Sequence, residues 1–150
     1  MAVKPIPDNY HSITPYLMAP GASRLIEFLK EAFGAVESER MTAPDGAVRH
    51  AEVRIGDSML MLTDGGGEWK PMPASLYLYV NDADATYKRA LAAGATSVME
   101  PVTQFYGDRQ GGVKDPSGNI WWIATHVEDV SPEELRKRAE ASVRQQQPQG

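Results

Sequence analysis

The feature that most constrains this chain is a turn signal, Asp115–Gly118 (DPSG), set between two segments with β-strand character. Proline presets φ in a turn and glycine tolerates a positive φ, so residues 111–114 and 119–125 are predicted to form a hairpin. The second strand contains two adjacent tryptophans, Trp121 and Trp122. Adjacent residues of a strand point to opposite faces of the sheet. Both faces of the hairpin therefore need a cover, which a partner, a second sheet or a ligand could supply.

The composition limits the class of protein and its partners. The 150 residues are enough for one domain or two small fused modules. With 42% hydrophobic and 23% charged residues, the chain is typical of a soluble globular protein. The net charge of −5 argues against nucleic acid as a partner, and the lack of cysteine excludes disulfides and zinc–thiolate sites. Neither a membrane span nor a signal peptide is recognisable, so we expect a cytoplasmic protein.

Residues 1–9 are predicted to be a lead-in, and residues 10–64 a first module. Its helix is indicated by apolar residues at helical spacing from Ala22 to Phe33, followed by Gly34. Turn residues rich in proline, aspartate and glycine then separate short apolar segments. The predicted strands are 12–19, 36–41, 48–55 and 58–63. Pro15 interrupts the first of them, and a proline there favours an edge position or the start of the strand. The module therefore has the order β-α-β-β-β.

Residues 65–73 are predicted to be a linker, rich in glycine and proline around Trp69. The same order of elements then repeats over residues 74–127. This second module has a predicted helix at 82–93 and predicted strands at 74–80, 96–99, 111–114 and 119–125. The two helices end in similar sequences, AFGA at residues 32–35 and AAGA at residues 92–95. This self-similarity indicates two copies of one unit, neither of which could bury a core alone.

A third helix is predicted within residues 128–144. Ser131 is positioned as its N-cap, Pro132 lies at the first helical position, and Glu134 lies at the capping-box position. These signals place the start of the helix just after Ser131. Residues 145–150 are rich in glutamine and are expected to be disordered.

Two β-α-β-β-β modules, the second closed by DPSGNI at residues 115–120, resemble the vicinal oxygen chelate superfamily. This superfamily includes glyoxalase I, bleomycin-resistance proteins and extradiol dioxygenases. Ile13–Leu17, the helix end at residues 28–35 and Ile55–Ser58 look like its small bacterial members, and the resemblance covers about residues 10–127. It implies an α+β fold in which two tandem modules form an open, cup-like mixed β-sheet. Such cups are commonly completed in a homodimer, and a C-terminal helix follows the cup here.

The metalloenzymes of the superfamily carry histidine or glutamate ligands on the inward faces of the first and last strands of each module. Carried over to this chain, these positions fall on Thr14, Met61, Ser75 and Trp122. Such residues do not suit a divalent metal, which prefers imidazole or carboxylate ligands. The resemblance therefore implies no metal and no cofactor. It favours the branch of bleomycin- and mitomycin-type resistance proteins, which bind flat organic molecules largely by aromatic stacking.

Strand alternation selects the residues of the cup face, if Thr14, Ser75 and Trp122 point inward. Tyrosine, methionine and tryptophan dominate this face, and this is the composition of a small-molecule pocket. The predicted ligand-binding residues are Tyr16, Met61, Trp69, Tyr77, Tyr79 and Trp122. The alternative is that the strand residues fill a barrel-like core. Trp69, in the linker, could be a lid over the cup or a dimer contact.

The residues that could carry chemistry are His50, Tyr106, Asp108 and Arg109. His50 lies inside a predicted strand and could be a general base or a polar contact for a ligand, although a structural role is the commoner one for such a histidine. Arg109 could clamp a carboxylate or stack on an aromatic ligand, Asp108 could orient Arg109 or act as a base, and Tyr106 could donate a proton. The alternative for Asp108 and Arg109 is a local ion pair. His126, after the last predicted strand, is expected to be a surface residue.

Two functions follow, and a third is kept open. The first is a metal-free protein, similar to glyoxalases and bleomycin-resistance proteins, that binds a small planar or hydrophobic organic molecule in an aromatic-lined cup. The second is a metal-independent isomerase, lyase or hydrolase that acts on a small carbonyl substrate. The third is a structural dimer whose cup is filled by side chains. We expect a homodimer, with neither a membrane nor a nucleic acid as partner.

Overall fold

The computed structural model describes residues 2–146, which form eight strands and three helices. In chain order the elements are β1 Tyr16–Met18, α1 Ala22–Phe33, β2 Val36–Thr42, β3 Val48–Ile55, β4 Ser58–Thr63, β5 Ser75–Tyr79, α2 Ala83–Ala92, β6 Thr96–Thr103, β7 Asp108–Lys114, β8 Ile120–His126 and α3 Pro132–Gln146. The order β-α-β-β-β therefore occurs twice, and a helix follows it, as the sequence predicts.

The strands form two four-stranded mixed sheets. The first sheet has the order β1-β4-β3-β2, and the second has the order β5-β8-β7-β6. In each sheet the first strand of the module runs parallel to the last, and the other neighbouring strands are antiparallel. Neither sheet closes on itself. The predicted α+β class with open, mixed sheets is confirmed.

Helices α1 and α2 each cover one face of their own sheet and also pack against each other. The buried side chains of α1 recur at helical spacing and include Leu25, Ile26 and Leu29. One buried apolar cluster runs through both modules. Where the modules meet, the ring centroids of Phe33 and Trp121 lie 5.0 Å apart. The face of each sheet that points away from the helices is left open.

The two adjacent tryptophans of β8 point to opposite faces of the sheet, as strand alternation predicts. Trp121 lies in the core, 2% exposed, and its Nε1 donates to the Asp115 carboxylate at 2.8 Å. Trp122 lies half-buried on the open face, and its Nε1 donates to Ser75 Oγ at 3.0 Å. The indole covers Gly112, where a Cβ would lie 2.7 Å from the ring. Glycine at residue 112 is therefore what allows Trp122 to lie against the sheet.

The first strand is shorter than predicted. β1 contains three residues, whereas the sequence predicts a strand over residues 12–19. Pro15 has no N–H to donate, although its carbonyl oxygen accepts from the Met61 N–H at 2.9 Å. The ladder with β4 begins at Tyr16. The proline therefore lies at the start of an edge strand, which is where the sequence favours it.

The first hairpin of the second module, formed by β6 and β7, is longer than predicted. β6 continues to Thr103 and β7 begins at Asp108, and hydrogen bonds across the intervening turn join them. Pro101 is accommodated because β6 is an edge strand and its register shifts between Met99 and Val102. As a result Asp108 belongs to a strand, and its side chain has a defined face.

The segment predicted as a linker, residues 65–73, lies along the free edge of β1. The Met72 N–H donates to Met18 O at 3.0 Å. Gly66 and Trp69 form a short antiparallel bridge within the segment, with both N–H···O distances at 2.9 Å. This backbone pairing holds Trp69 at the edge of the first sheet.

Helix α3 begins as its sequence signals predict. Ser131 Oγ accepts from the Glu134 N–H at 3.2 Å, which satisfies a free donor at the helix start. The helix continues to Gln146, two residues into the segment predicted to be disordered, and residues 147–150 lie outside the described part of the chain. Within residues 2–146, no helix is both long enough and apolar enough to cross a membrane.

Candidate functional site

Aromatic side chains stand on the open face of the second sheet. Along β5, Leu76 and Leu78 pack against the core, whereas Tyr77 and Tyr79 are 42% and 60% exposed. The ring centroids of the two tyrosines lie 5.2 Å apart. In the ladder with β8, Tyr77 lies opposite Trp122. Three of the predicted ligand-binding residues therefore share one face.

The other predicted ligand-binding residues lie on the first sheet. Tyr16, 46% exposed, pairs in register with Met61. Trp69, 65% exposed, stands beside β1. Tyr16 and Trp69 line a groove of about 620 Å³, whose other walls are Met18, Arg49, Thr63 and Gly65. Within residues 2–146 no strand of one sheet pairs with a strand of the other, so the predicted strand residues are divided between two sheets.

Asp108 is the centre of a polar cluster on the second sheet. It is 4% exposed, and one carboxylate oxygen accepts from Tyr77 Oη at 2.7 Å and Tyr79 Oη at 2.9 Å. Its other oxygen lies 2.9 Å from His126 Nδ1, and His126 Nε2 lies 2.7 Å from the exposed Asp129 carboxylate. The ladder of β7 and β8 sets this arrangement, because Asp108 lies directly opposite His126. His126 is exposed, as the sequence analysis expects, and it is also part of the cluster.

The contacts of Asp108 fix the charges of the cluster. Burial raises the pKa of Asp108, but the hydrogen bonds from Tyr77, His126 and Tyr79 outweigh it, so this pKa lies below its ordinary value. Burial and the bond to Asp108 raise the pKa of Tyr77. The bond to Asp108 and then burial raise the pKa of Tyr79. The carboxylates of Asp108 and then Asp129 raise the pKa of His126. At neutral pH the cluster therefore combines an ionised carboxylate with two neutral phenols.

We expect the stability of the protein to depend on pH through His126. Its pKa in the folded chain lies above 6.5, so the protonated imidazole stabilises the folded state fully below about pH 6.5. This contribution is lost as the pH rises through the folded-state pKa. Wild-type protein should therefore melt above H126Q in mild acid, and the two melting temperatures should converge at alkaline pH. An NMR titration should place the His126 pKa above 6.5, and D108N should lower it.

A difference between the two melting temperatures that stays constant with pH would contradict this prediction, as would a His126 pKa at or below 6.5. His11→Gln is the matched control. Within residues 2–146 the histidines that lie within ion-pair distance of a carboxylate are His50 and His126. The His11 variant should therefore show the wild-type dependence of melting temperature on pH.

A smaller polar cluster surrounds His50 on the first sheet. Its Nδ1 lies 3.3 Å from Tyr16 Oη, and its Nε2 lies 3.2 Å from Glu52 Oε2. The rings of Tyr16 and His50 meet edge to face, with centroids 5.7 Å apart. The imidazole is thus held between a phenol and a carboxylate, and it orients the tyrosine that lines the groove. This cluster lies on a different sheet from Asp108.

Tyr106 and Arg109 lie near Asp108 in sequence, but their side chains lie on different sides of the sheet. Tyr106 lies in the turn between β6 and β7, and its hydroxyl donates to Gln110 Oε1. Gln110 is two residues from Asp108 on the same strand and so shares its face. Arg109 points to the opposite side of the sheet, where it forms a bidentate pair with Asp84 of α2 at 2.7 and 3.0 Å. The structure therefore places Tyr106 near Asp108 and turns Arg109 away.

The positions that correspond to metal ligands do not fit a divalent metal. The Trp122 ring nitrogen can only donate, and it donates to Ser75. Met61 offers a thioether, which is a soft ligand and suits few divalent ions. Among residues 2–146, no three histidine, aspartate or glutamate side chains lie together where they could hold a metal ion.

Comparison with known proteins identifies the family. A family model described as the Glyoxalase/Bleomycin resistance protein/Dioxygenase superfamily matches residues 11–123. The chain belongs to this superfamily. An uncharacterized protein from Mycobacterium tuberculosis is 38% identical over 136 residues, which cover 83% of this chain and 80% of the relative. An uncharacterized protein from Mycobacterium bovis shows the same 38% identity over 83% of this chain and 90% of its own.

Two solved structures share the fold of this chain. TioX from Micromonospora matches with a TM-score of 0.64 and 23% identity over 81% of this chain and 100% of TioX. A glyoxalase-related enzyme from Fulvimarina pelagi matches with a TM-score of 0.61 and 19% identity over 77% of this chain and 87% of the enzyme. At these identities the likeness concerns the fold alone.

Proposed function

We propose that this superfamily member is a metal-free binding protein for a small planar or hydrophobic organic molecule. The observation that carries the proposal is the row of aromatic side chains on the open face of the second sheet, Tyr77, Tyr79 and Trp122. Contiguous exposed apolar surface of this kind marks binding sites. Ser75 and Gly112 already hold Trp122 in place, so stacking a ligand on its indole costs little conformational entropy.

A second copy of the chain completes the cup in this proposal. Within one chain the two aromatic surfaces lie on separate sheets, and Tyr16 and Tyr79 are 46% and 60% exposed. If the first sheet of one protomer faces the second sheet of its partner, these surfaces become two sides of one cavity. A homodimer of this kind would bury both apolar faces and enclose most of the ligand.

The Asp108 cluster favours a second candidate function. A metal-independent isomerase, lyase or hydrolase acting on a small carbonyl substrate needs a group that moves a proton and donors that stabilise the developing oxyanion. His126 could move the proton, and the hydroxyls of Tyr77 and Tyr79 could turn toward the substrate oxygen. Asp108 is a poor base because its pKa is lowered by the donors that engage it. Its role would be to hold His126 and the tyrosines.

A ligand screen tests the binding proposal. Planar aromatic compounds, neutral and charged, should raise the melting temperature of the wild-type protein, because a ligand that binds only the folded state stabilises it. W122L should weaken the tightest of them by about tenfold or more, because the stacking surface is lost. V143A, which alters an exposed apolar residue of α3, is the matched control and should bind as wild type does.

The same samples separate the alternatives. A monomer–dimer equilibrium in sedimentation that shifts toward the dimer on ligand addition would support the shared cup. If no planar compound alters the melting temperature, the binding proposal is wrong. If instead a small carbonyl compound is converted, and the conversion is lost in H126Q but kept in V143A, the enzyme is the better description.

A further inference from the structure

A β-bulge changes the direction of one arginine at the mouth of the groove on the first sheet. Along the ladder of β2 and β3, Met41 pairs with His50 and Thr42 pairs with Val48, so Arg49 is an extra residue without a partner. Val48 and Ala51 are both buried, at 1% and 0% exposure. The extra residue lets the strand place two consecutive polar side chains outside the core between them. Arg49 thereby lines the groove instead of following the alternation of the strand.

The rest of the groove is apolar and open to solvent. Its principal walls are the rings of Tyr16 and Trp69 and the side chain of Met18. The volume of about 620 Å³ lies within the range of pockets for small organic ligands. A planar molecule can stack against such aromatic walls. The groove is therefore an apolar slot with a single cationic wall.

The guanidinium of Arg49 has no competing partner in the described part of the chain. Other arginines form ion pairs there, and these are Arg40, Arg109 and Arg138. No carboxylate among residues 2–146 lies within 4.0 Å of Arg49. Glu52, on the same strand, is held by His50. Asp64, at the end of β4, accepts from backbone N–H groups of Gly21, Ala22 and Val48.

We infer that the groove is an anion subsite and that Arg49 recognises the carboxylate of a planar aromatic acid whose ring lies against Tyr16 and Trp69. The inference rests on the proposed binding function and specifies its ligand class. A guanidinium presents a planar fork that matches a carboxylate in a bidentate pair. The protein carries a net charge of −5, so its overall field repels anions. Selectivity for an acid must therefore come from this local contact.

The test is a calorimetric titration of the full-length protein with benzoate, 2-naphthoate and the methyl ester of each. Wild-type protein should bind the larger acid about tenfold or more tightly than its ester, because the charged pair is absent from the ester. R49Q should bring the affinity for the acid down to that for the ester and leave the ester unchanged. R54Q alters an exposed arginine on the same strand, outside the groove, and should leave both affinities unchanged.

The outcomes separate this inference from the proposed function. If acid and ester bind wild type equally, or if R49Q binds the acid as wild type does, the anion subsite is wrong and the binding of planar molecules stands. If neither acid nor ester binds wild type, the anion subsite is wrong, and the screen of planar compounds decides the binding proposal by itself. W69A locates the ligand: equal weakening of acid and ester supports the groove, and no change in either overturns it.

Discussion

Replacing Asp115 with alanine is expected to lower the free energy of unfolding by about 3–5 kcal/mol, a large share of the ~5–15 kcal/mol of a typical domain. Asp115 is 4% exposed and accepts hydrogen bonds within and beyond its own turn. One oxygen accepts from the Ser117 N–H at 2.8 Å and the Asn119 N–H at 3.0 Å. The other accepts from Asn119 Nδ2 at 2.9 Å and Trp121 Nε1 at 2.8 Å. D115A leaves these donors buried without an acceptor.

Urea unfolding followed by far-UV circular dichroism measures this loss. D57A is the matched control, because Asp57 lies in the exposed turn between β3 and β4 and, among residues 2–146, accepts only from Ser58 Oγ at 3.0 Å. Its expected cost is within about 0.5 kcal/mol. D115N keeps one acceptor oxygen and should fall between the two. If D115A lowers the free energy of unfolding no more than D57A does, water hydrogen-bonds to the donors that Asp115 leaves, and these donors are not buried.

The first helix and the strands after it could be predicted from local signals. Helix α1 spans Ala22–Phe33 as predicted, because its apolar residues recur at helical spacing and Gly34 follows. β3 and β4 also match their predicted bounds, since turn residues set off both strands. β1 does not, because its length depends on how many residues reach β4, a strand that lies over forty residues away in sequence. Local sequence signals carry no information about pairing with a strand so far along the chain.

The Asp108 cluster was only partly predictable. The segment Asp108–Gln110 carries little β-propensity, and pairing with β8 draws it into a strand. A register count from the Asp115 turn could have found the missing partner. Lys114 lies opposite Ile120, so six further residues on each strand bring Asp108 opposite His126. His126 is exposed, as expected, but its neighbours in sequence do not indicate its partner across the hairpin.

Arg49 was missed for a related reason. Strict alternation assigns successive residues of a strand to opposite faces, and it does not allow for the extra residue of a bulge. The signal is nevertheless present in the spacing of buried residues along β3: Val48, Ala51, Val53 and Ile55. The first interval is three residues and the others are two, which indicates one extra residue between Val48 and Ala51. A change of interval of this kind predicts a bulge from the sequence.

The candidate site is divided between two sheets, and a dimer that brings the two sheets together would link the proposed binding function with the Arg49 subsite. The groove with Arg49 lies on the first sheet, and the aromatic row with Asp108 lies on the second. In a single chain, both the groove and the aromatic row face solvent. A dimer in which the halves face each other would place a cation at one end of an aromatic cavity and a carboxylate–histidine pair at the other. Mixing R49Q and H126Q protomers would then place both substitutions in one cup of the heterodimer and leave its other cup unaltered.

The Gly107→Ala variant is expected to cost about 3–5 kcal/mol of the free energy of unfolding. Gly107 has φ of +98°, which L side chains rarely adopt. An added Cβ would overlap the carbonyl oxygen of Glu128 and lie 3.2 Å from Val130 Cγ2. The Gly107 carbonyl oxygen accepts from the Val127 N–H at 2.9 Å and the Glu128 N–H at 3.1 Å. The alanine therefore pushes apart the β6–β7 turn and the segment that follows β8.

Gly118→Ala is the matched control, because Gly118 has a similar φ of +94° and nothing within 4 Å of an added Cβ. It should cost only the strain of the backbone conformation, about 1–2 kcal/mol. The difference between the unfolding free energies of the two variants, measured in urea, gives the cost of the overlap with Glu128. The displaced segment begins one residue after His126, so G107A should also change the NMR titration of His126, and G118A should not. Equal costs for the two variants would show that the segment after β8 yields freely and does not hold His126 against Asp108.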